Sequence, residues 1–157
     1  MADRSSKKYD LTDFDADNYW RETQRAIAAT YSFPNLAQKS ARPDRLGETV
    51  GDLLQSAMYF GGIDTMPFTI RDDSLVVVAC RAYDTVGITV IDPTGDLARD
   101  VVTWLEPTQE TWVAHALKIE LLRNARAAGI DHVIVQSGTT AQSIYEALGL
   151  RPIGAAL

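Results

Sequence analysis

The chain has 157 residues, with 15 Lys and Arg against 21 Asp and Glu for a formal charge of −6, and 46% of its residues are hydrophobic. That profile fits one globular domain, 1–157, and excludes a nucleic-acid binder of the usual kind, which needs clustered cations to meet phosphate. One cysteine and two histidines leave no internal disulfide and no ligand set for a metal. No apolar run approaches the roughly 20 residues that span a bilayer, and the N-terminus lacks the apolar core of a secretory signal, so a cytoplasmic protein without membrane contact is expected.

Residues 1–10 are polar and read as a frayed tail, and 11–70 as the helical N-terminal part. A helix is predicted from Asp17 to Thr30, capped by Asp15 or Asp17, with Trp20, Thr23, Ile27 and Tyr31 near its apolar face. Residues 32–43 carry two prolines and form a connection. A second helix is expected over 44–60, with Leu46, Val50, Leu53, Leu54, Ala57 and Met58 as its stripe and Gly61-Gly62 as its stop.

The middle of the chain is predicted as three strands. Residues 74–80 form a near-continuous apolar run, as in a strand buried on both faces, with Cys80 a small core residue. Residues 85–91 are rich in β-branched side chains and run into the turn signal Asp92-Pro93-Thr94-Gly95-Asp96. The third strand covers 97–105. A long helix then runs from Trp112 to Ala128, with Leu117, Leu121, Leu122 and Ala125 on its apolar side and Lys118, Arg123 and Arg126 largely opposite. Gly129 closes it. A strand at 132–136, a helix at 140–148 stopped by Gly149, and a closing strand within 150–157 complete a mixed α/β sandwich.

Two stretches carry a family resemblance. Leu105-Glu106-Pro107 precedes Gln109-Glu110-Thr111-Trp112-Val113-Ala114 and Ala116-Leu117-Lys118, and farther on comes Ile144-Tyr145-Glu146-Ala147-Leu148-Gly149-Leu150. Over roughly residues 70–157 this order resembles the GNAT superfamily of acyl-CoA-dependent N-acyltransferases. In that family a strand ends before a phosphate loop that opens a long helix, and a Leu-Tyr-Glu-x-Leu-Gly-Phe helix follows. The resemblance implies a mostly antiparallel mixed sheet flanked by helices, and acyl transfer from acetyl-CoA or another acyl-CoA to a small-molecule amine by direct attack. Homodimers are common in the superfamily.

By the same resemblance Tyr145 would protonate the leaving thiolate, and Leu105, Gln109, Thr111, Val113 and Ala114 would contact the cofactor. Glu106, at the strand end, is a candidate base for the attacking amine. The early aromatic residues Tyr19, Trp20, Tyr59 and Phe60, with Met66, are candidates for the acceptor side. The acidic run Asp10, Asp13, Asp15 and Asp17 can attract an amine or stabilise a helix start.

The loop departs from the family pattern in ways that bear on CoA. Trp112 stands where the family has its first glycine, Glu110 adds a negative charge, and no Lys or Arg lies between Arg99 and Lys118. Thr108 or Thr111 can cap the helix in place of a phosphate. These residues keep a second class of function open: a GNAT-like domain that has lost CoA and acts as a binding or assembly module, or uses its cleft for another ligand. His115 and His132 have no partner at ligand spacing, and Ser137-Gly138-Thr139-Thr140 reads first as a polar turn capping the next helix.

Overall fold

The computed structural model describes residues 6–35, 73–82 and 84–153. The predicted helix at 44–60, its glycine stop, and the acceptor-side candidates Tyr59, Phe60 and Met66 lie outside the described residues, as do 154–157 of the closing segment. The elements are β1 (Ser6–Asp10), a 3-10 turn (Ala16–Tyr19), α1 (Trp20–Ala28), β2 (Tyr31–Ser32), β3 (Leu75–Arg81), β4 (Asp84–Thr94), β5 (Leu97–Leu105), α2 (Thr111–Ala127), β6 (His132–Gln136) and α3 (Thr140–Ala147).

They build one six-stranded sheet in the order β1-β6-β5-β4-β3-β2. Each neighbouring pair is antiparallel except β5 with β6. That parallel pairing has three steps, Leu97 with His132, Ala98 with Val133 and Arg99 with Ile134. Beyond Arg99 the strands part, although β5 continues to Leu105 and β6 to Gln136. The result is a fork whose closed end is at Leu97 and His132.

Alternation along the strands sorts side chains between two faces. Val77, Ala79, Ile91, Ala98, Val133 and Val135 share a buried cluster with Val113, Leu117, Leu121 and Leu122 of α2 and Ile144 and Tyr145 of α3. On the second face the cross-strand rows Val76-Val90-Val102 and Val78-Ile88-Trp104 are also buried. This explains the unbroken apolar run in β3. At Gly87 a Cβ would come within 2.9 Å of Leu105 Cδ1 and 3.0 Å of the Trp104 carbonyl, so glycine admits β5 at full approach. Gly129 and Gly149 both take positive φ, +85° and +81°, as stops after α2 and α3.

Four expectations are corrected. Residues 6–10 are not a frayed tail: they pair with β6 over five positions, and Tyr9 is 0% exposed with its ring stacked on Tyr145 at 5.3 Å. Ladder bonds and that buried ring offset the ordering cost. In α1 the large apolar residues face out, Trp20 being 59% and Ile27 61% exposed, while Ala26 is buried. A small residue on the inner face lets this helix lie close to α2. β4 runs through Asp92-Pro93-Thr94, pairing Pro93 with Ala98, and the turn is only Gly95-Asp96. Lys118 is not on the outer face of α2 but is 0% exposed inside the fold.

After α3 the chain returns along β1. The Asp10 N–H donates to the Arg151 carbonyl (3.2 Å), the Ile153 N–H to that of Lys8 (2.8 Å), and Pro152 bridges Tyr9. Among the described residues no helix is long and apolar enough to cross a membrane.

Candidate active site at the fork

Asp100 is the first residue of β5 beyond the last parallel step, so its side chain stands where the strands begin to part. Its Oδ2 accepts two charge-assisted or phenolic bonds, from Lys118 Nζ at 2.7 Å and from the Tyr145 hydroxyl at 2.8 Å. Lys118 Nζ also donates to Thr89 Oγ1 (2.6 Å) and Thr103 Oγ1 (2.7 Å). Three acceptors match the three N–H groups of an ammonium. Thr89 and Thr103 are cross-strand partners in the centre of the sheet, which sets their hydroxyls 3.0 Å apart beneath α2.

Burial pulls the Lys118 ammonium below its ordinary range, and the Asp100 carboxylate opposes that pull. Burial first, then the charge of Asp100 and its hydrogen bond, hold the Tyr145 phenol well above the ordinary phenol range. The group is a buried ion pair with a neutral phenol on it. Beside it, Asp100, Thr103, Val135, Gln136 and Thr139 enclose a cavity of about 20 Å³. That is room for about one water.

The second part of the site lies at the far end of β5. The Glu106 N–H donates to the Val86 carbonyl (2.8 Å), and Glu106 Oε1 accepts from Thr108 Oγ1 (2.6 Å) and Gln109 Nε2 (3.3 Å). Gln109 Oε1 accepts from the Tyr31 hydroxyl. Glu106 thus braces the turn into α2. That helix begins at Thr111 with Glu110 as its N-cap, and no side chain caps it, so neither Thr108 nor Thr111 does so. Val113 and Ala114 are buried in the core, leaving only their backbone to the loop, whereas Thr111 is exposed. Leu105 is half-buried against the core.

Trp112 turns sideways. Its indole N–H donates to Glu110 Oε2 (3.2 Å), and its ring meets Tyr31 edge-on at 5.6 Å. The Arg25 guanidinium of α1 lies 4.3 Å above the Trp112 ring, and that of Arg81 lies 5.4 Å from the Tyr31 ring. The loop lacks a cation in its own sequence, but folding brings one from α1.

Of the two residues expected to act together, the fold sets Tyr145 against Asp100 and Lys118 and leaves Glu106 elsewhere. Glu106 follows the end of β5, six residues after Asp100 and roughly 20 Å farther along the strand direction. Asp100 and Lys118 were missed as site residues, yet one signal was present. Lys118 sits four residues after Ala114 and four before Leu122, in the middle of the apolar stripe of α2. The acidic run lies at the opposite, closed end of the β5/β6 pair. There Asp10, Asp13, Asp15, Phe14, Tyr19 and Arg151 border a cavity of about 430 Å³. Asp10 is held below the usual carboxylate range by bonds from the Thr12 side chain and backbone, and Asp15 caps the 3-10 turn through the Asp17 N–H. Among the described residues no group of His, Cys, Asp and Glu is placed to hold a metal.

The fold is shared with known structures. A GCN5-related N-acetyltransferase from Kribbella flavida superposes with a TM-score of 0.56 over 97% of this chain and 55% of its own, at 13% identity. The chain has the GNAT fold. An aminoglycoside acetyltransferase from an uncultured soil sample, crystallised with trehalose, gives a TM-score of 0.55 over 77% of this chain and 88% of its own, at 14% identity. The C-terminal DUF2156 domain of an Agrobacterium fabrum protein gives 0.61 over 91% of this chain, at 12% identity. The chain spans about half the length of that structure. No protein-family model matches the sequence, and no curated protein is similar to it.

Proposed function

We propose that this GNAT-fold chain transfers an acyl group from a thioester of the acyl-CoA class to a small-molecule amine. The observation that carries the reading is the Tyr145 hydroxyl, delivered by α3 to Asp100 at the point where β5 and β6 separate. The amine nitrogen attacks the thioester carbonyl, the new C–N bond forms and the C–S bond breaks. Tyr145 turns its O–H from Asp100 to the departing sulfur and gives up its proton there, and the proton released by the amine goes to water, which returns one to the phenol. Glu106 lies too far along β5 to serve the same carbon, so its role is to brace the loop.

The loop end suits a pyrophosphate. The N-terminus of α2 has no side-chain cap, Trp112 is turned toward Tyr31, and Arg25 supplies a guanidinium nearby. The fork is narrower: the cavity beside Asp100 is about 20 Å³ and Tyr145, 0% exposed, lies outside its walls, so the strands must part for a thioester to reach the phenol. That narrowness favours the second reading, a GNAT-fold module that has lost CoA. Release of free thiol from acetyl-CoA in the presence of a panel of amines separates the two. Amine-dependent release that falls about a hundredfold in Tyr145→Phe supports transfer, and thiol release unaffected by that substitution contradicts it.

A further inference from the structure

We propose that Asp100 and Lys118 are positioning residues for Tyr145: Asp100 fixes the hydroxyl at the opening of the fork, and Lys118 fixes Asp100. The inference rests on the reading of Tyr145 as the proton donor. A phenol that serves one reacting atom must keep its oxygen in one place, and an unsupported tyrosine ring does not. Here the ring is held between Tyr9 at 5.3 Å and Lys118 Nζ at 5.1 Å, and the hydroxyl has its acceptor at 2.8 Å. The acceptor is itself immobilised, because the same Oδ2 receives Lys118, whose other donors are taken by Thr89 and Thr103. The links come from four elements (β4, β5, α2, α3), Asp100 and Thr103 both lying on β5, so the place of one phenol oxygen is set by the packing of the sheet against its helices.

Among the described residues the charged and titratable groups around Tyr145 are few. Asp100 faces it from β5 and Lys118 from α2. Tyr9 stacks on it from β1 and donates to Glu146 Oε2 on α3 (3.1 Å), and Lys7 Nζ lies 3.9 Å from that same oxygen. Among the described residues only Asp100 bonds the Tyr145 hydroxyl.

Two variants test the assignment. Asp100→Asn keeps an acceptor oxygen of the same shape and removes the charge. The Asp100→Leu/Lys118→Met double change removes acceptor and ammonium together, so neither charge is left alone in the core. The ionisation of Tyr145 is followed by the NMR shift of its labelled ring carbon, assigned with Tyr145→Phe. In Asp100→Asn the midpoint is expected to fall by about one pH unit or more, a tenfold change. In the double variant kcat is expected to drop about tenfold or more with the KM for acetyl-CoA unchanged, and in Asp100→Asn, which keeps an acceptor oxygen, to drop by less. An unchanged midpoint in Asp100→Asn, or full kcat in the double variant, overturns the assignment. An absence of acyl transfer by the unaltered protein overturns the function reading instead, and the ring-carbon titration then decides whether Asp100 governs Tyr145.

Discussion

Lys118 Nζ and Asp100 Oδ2 lie 2.7 Å apart with side chains 0% and 3% exposed, a buried ion pair joining α2 to β5 where the fork begins. Such a pair is costly to break from one side, because the remaining charge is stranded without water. Lys118→Met alone is therefore expected to destabilise the fold by about 3–5 kcal/mol in urea unfolding, and the double change Asp100→Leu/Lys118→Met by much less. Equal losses in the two would show that the pair is not the element at stake.

The phenol beside that pair makes stability depend on alkaline pH. Burial, then Asp100, raise the folded Tyr145 above its unfolded value, so its contribution is complete below about pH 10 and declines as pH rises toward the folded value. The stability difference between the unaltered protein and Tyr145→Phe is expected to shrink between pH 10 and 11.5. Lys118 carries the opposite slope, since burial lowers it, and it is present in both proteins. A difference constant across this range would contradict the placement of Tyr145.

Tyr9 tests the strand that replaced the expected tail. It is buried, stacked on Tyr145 and bonded to Glu146. Tyr9→Ala is expected to cost about 3–5 kcal/mol of stability, as for other large aromatic truncations, whereas a frayed segment would lose less than about 0.5 kcal/mol.

The α1 face gives a paired test. Trp20→Ser and Ile27→Ser are expected to change stability by no more than about 0.5 kcal/mol each, and Ala26→Leu to lower it by about 1–3 kcal/mol through overpacking. The reverse ranking would restore the face expected from apolar spacing alone.

Much of the fold was legible where periodicity and punctuation agree. The bounds of β5 and β6 match the sequence reading, and the glycine stops after α2 and α3 fall where they were expected, because each has a local cause. The misplaced features are those decided by distant partners. β1 reads as a polar tail until Tyr9 has Tyr145 to stack on. The face of α1 inverts because close approach to α2 selects Ala26 over bulk. Asp100 and Lys118 each look like surface charges, and only the crossing of α2 over β5 makes them a pair. The candidate loop was legible as a motif, but its cation was not, since Arg25 is 87 positions from Trp112 in sequence (112 − 25) and reaches it only in the fold.

Arg25 therefore supplies a direct check on the loop. If it serves the anion, Arg25→Gln is expected to weaken acetyl-CoA about tenfold or more, the loss of one charge-assisted bond of about 1.5–3 kcal/mol, and to flatten the salt dependence of binding. An unchanged affinity would confine Arg25 to its contact with Trp112.

The most direct measurement is titration calorimetry of the unaltered protein with acetyl-CoA and, separately, desulfo-CoA. Acyl transfer at the fork predicts saturable one-to-one binding of both in the micromolar range. No heat of binding with either ligand at millimolar concentration would contradict it and leave the fork to another occupant.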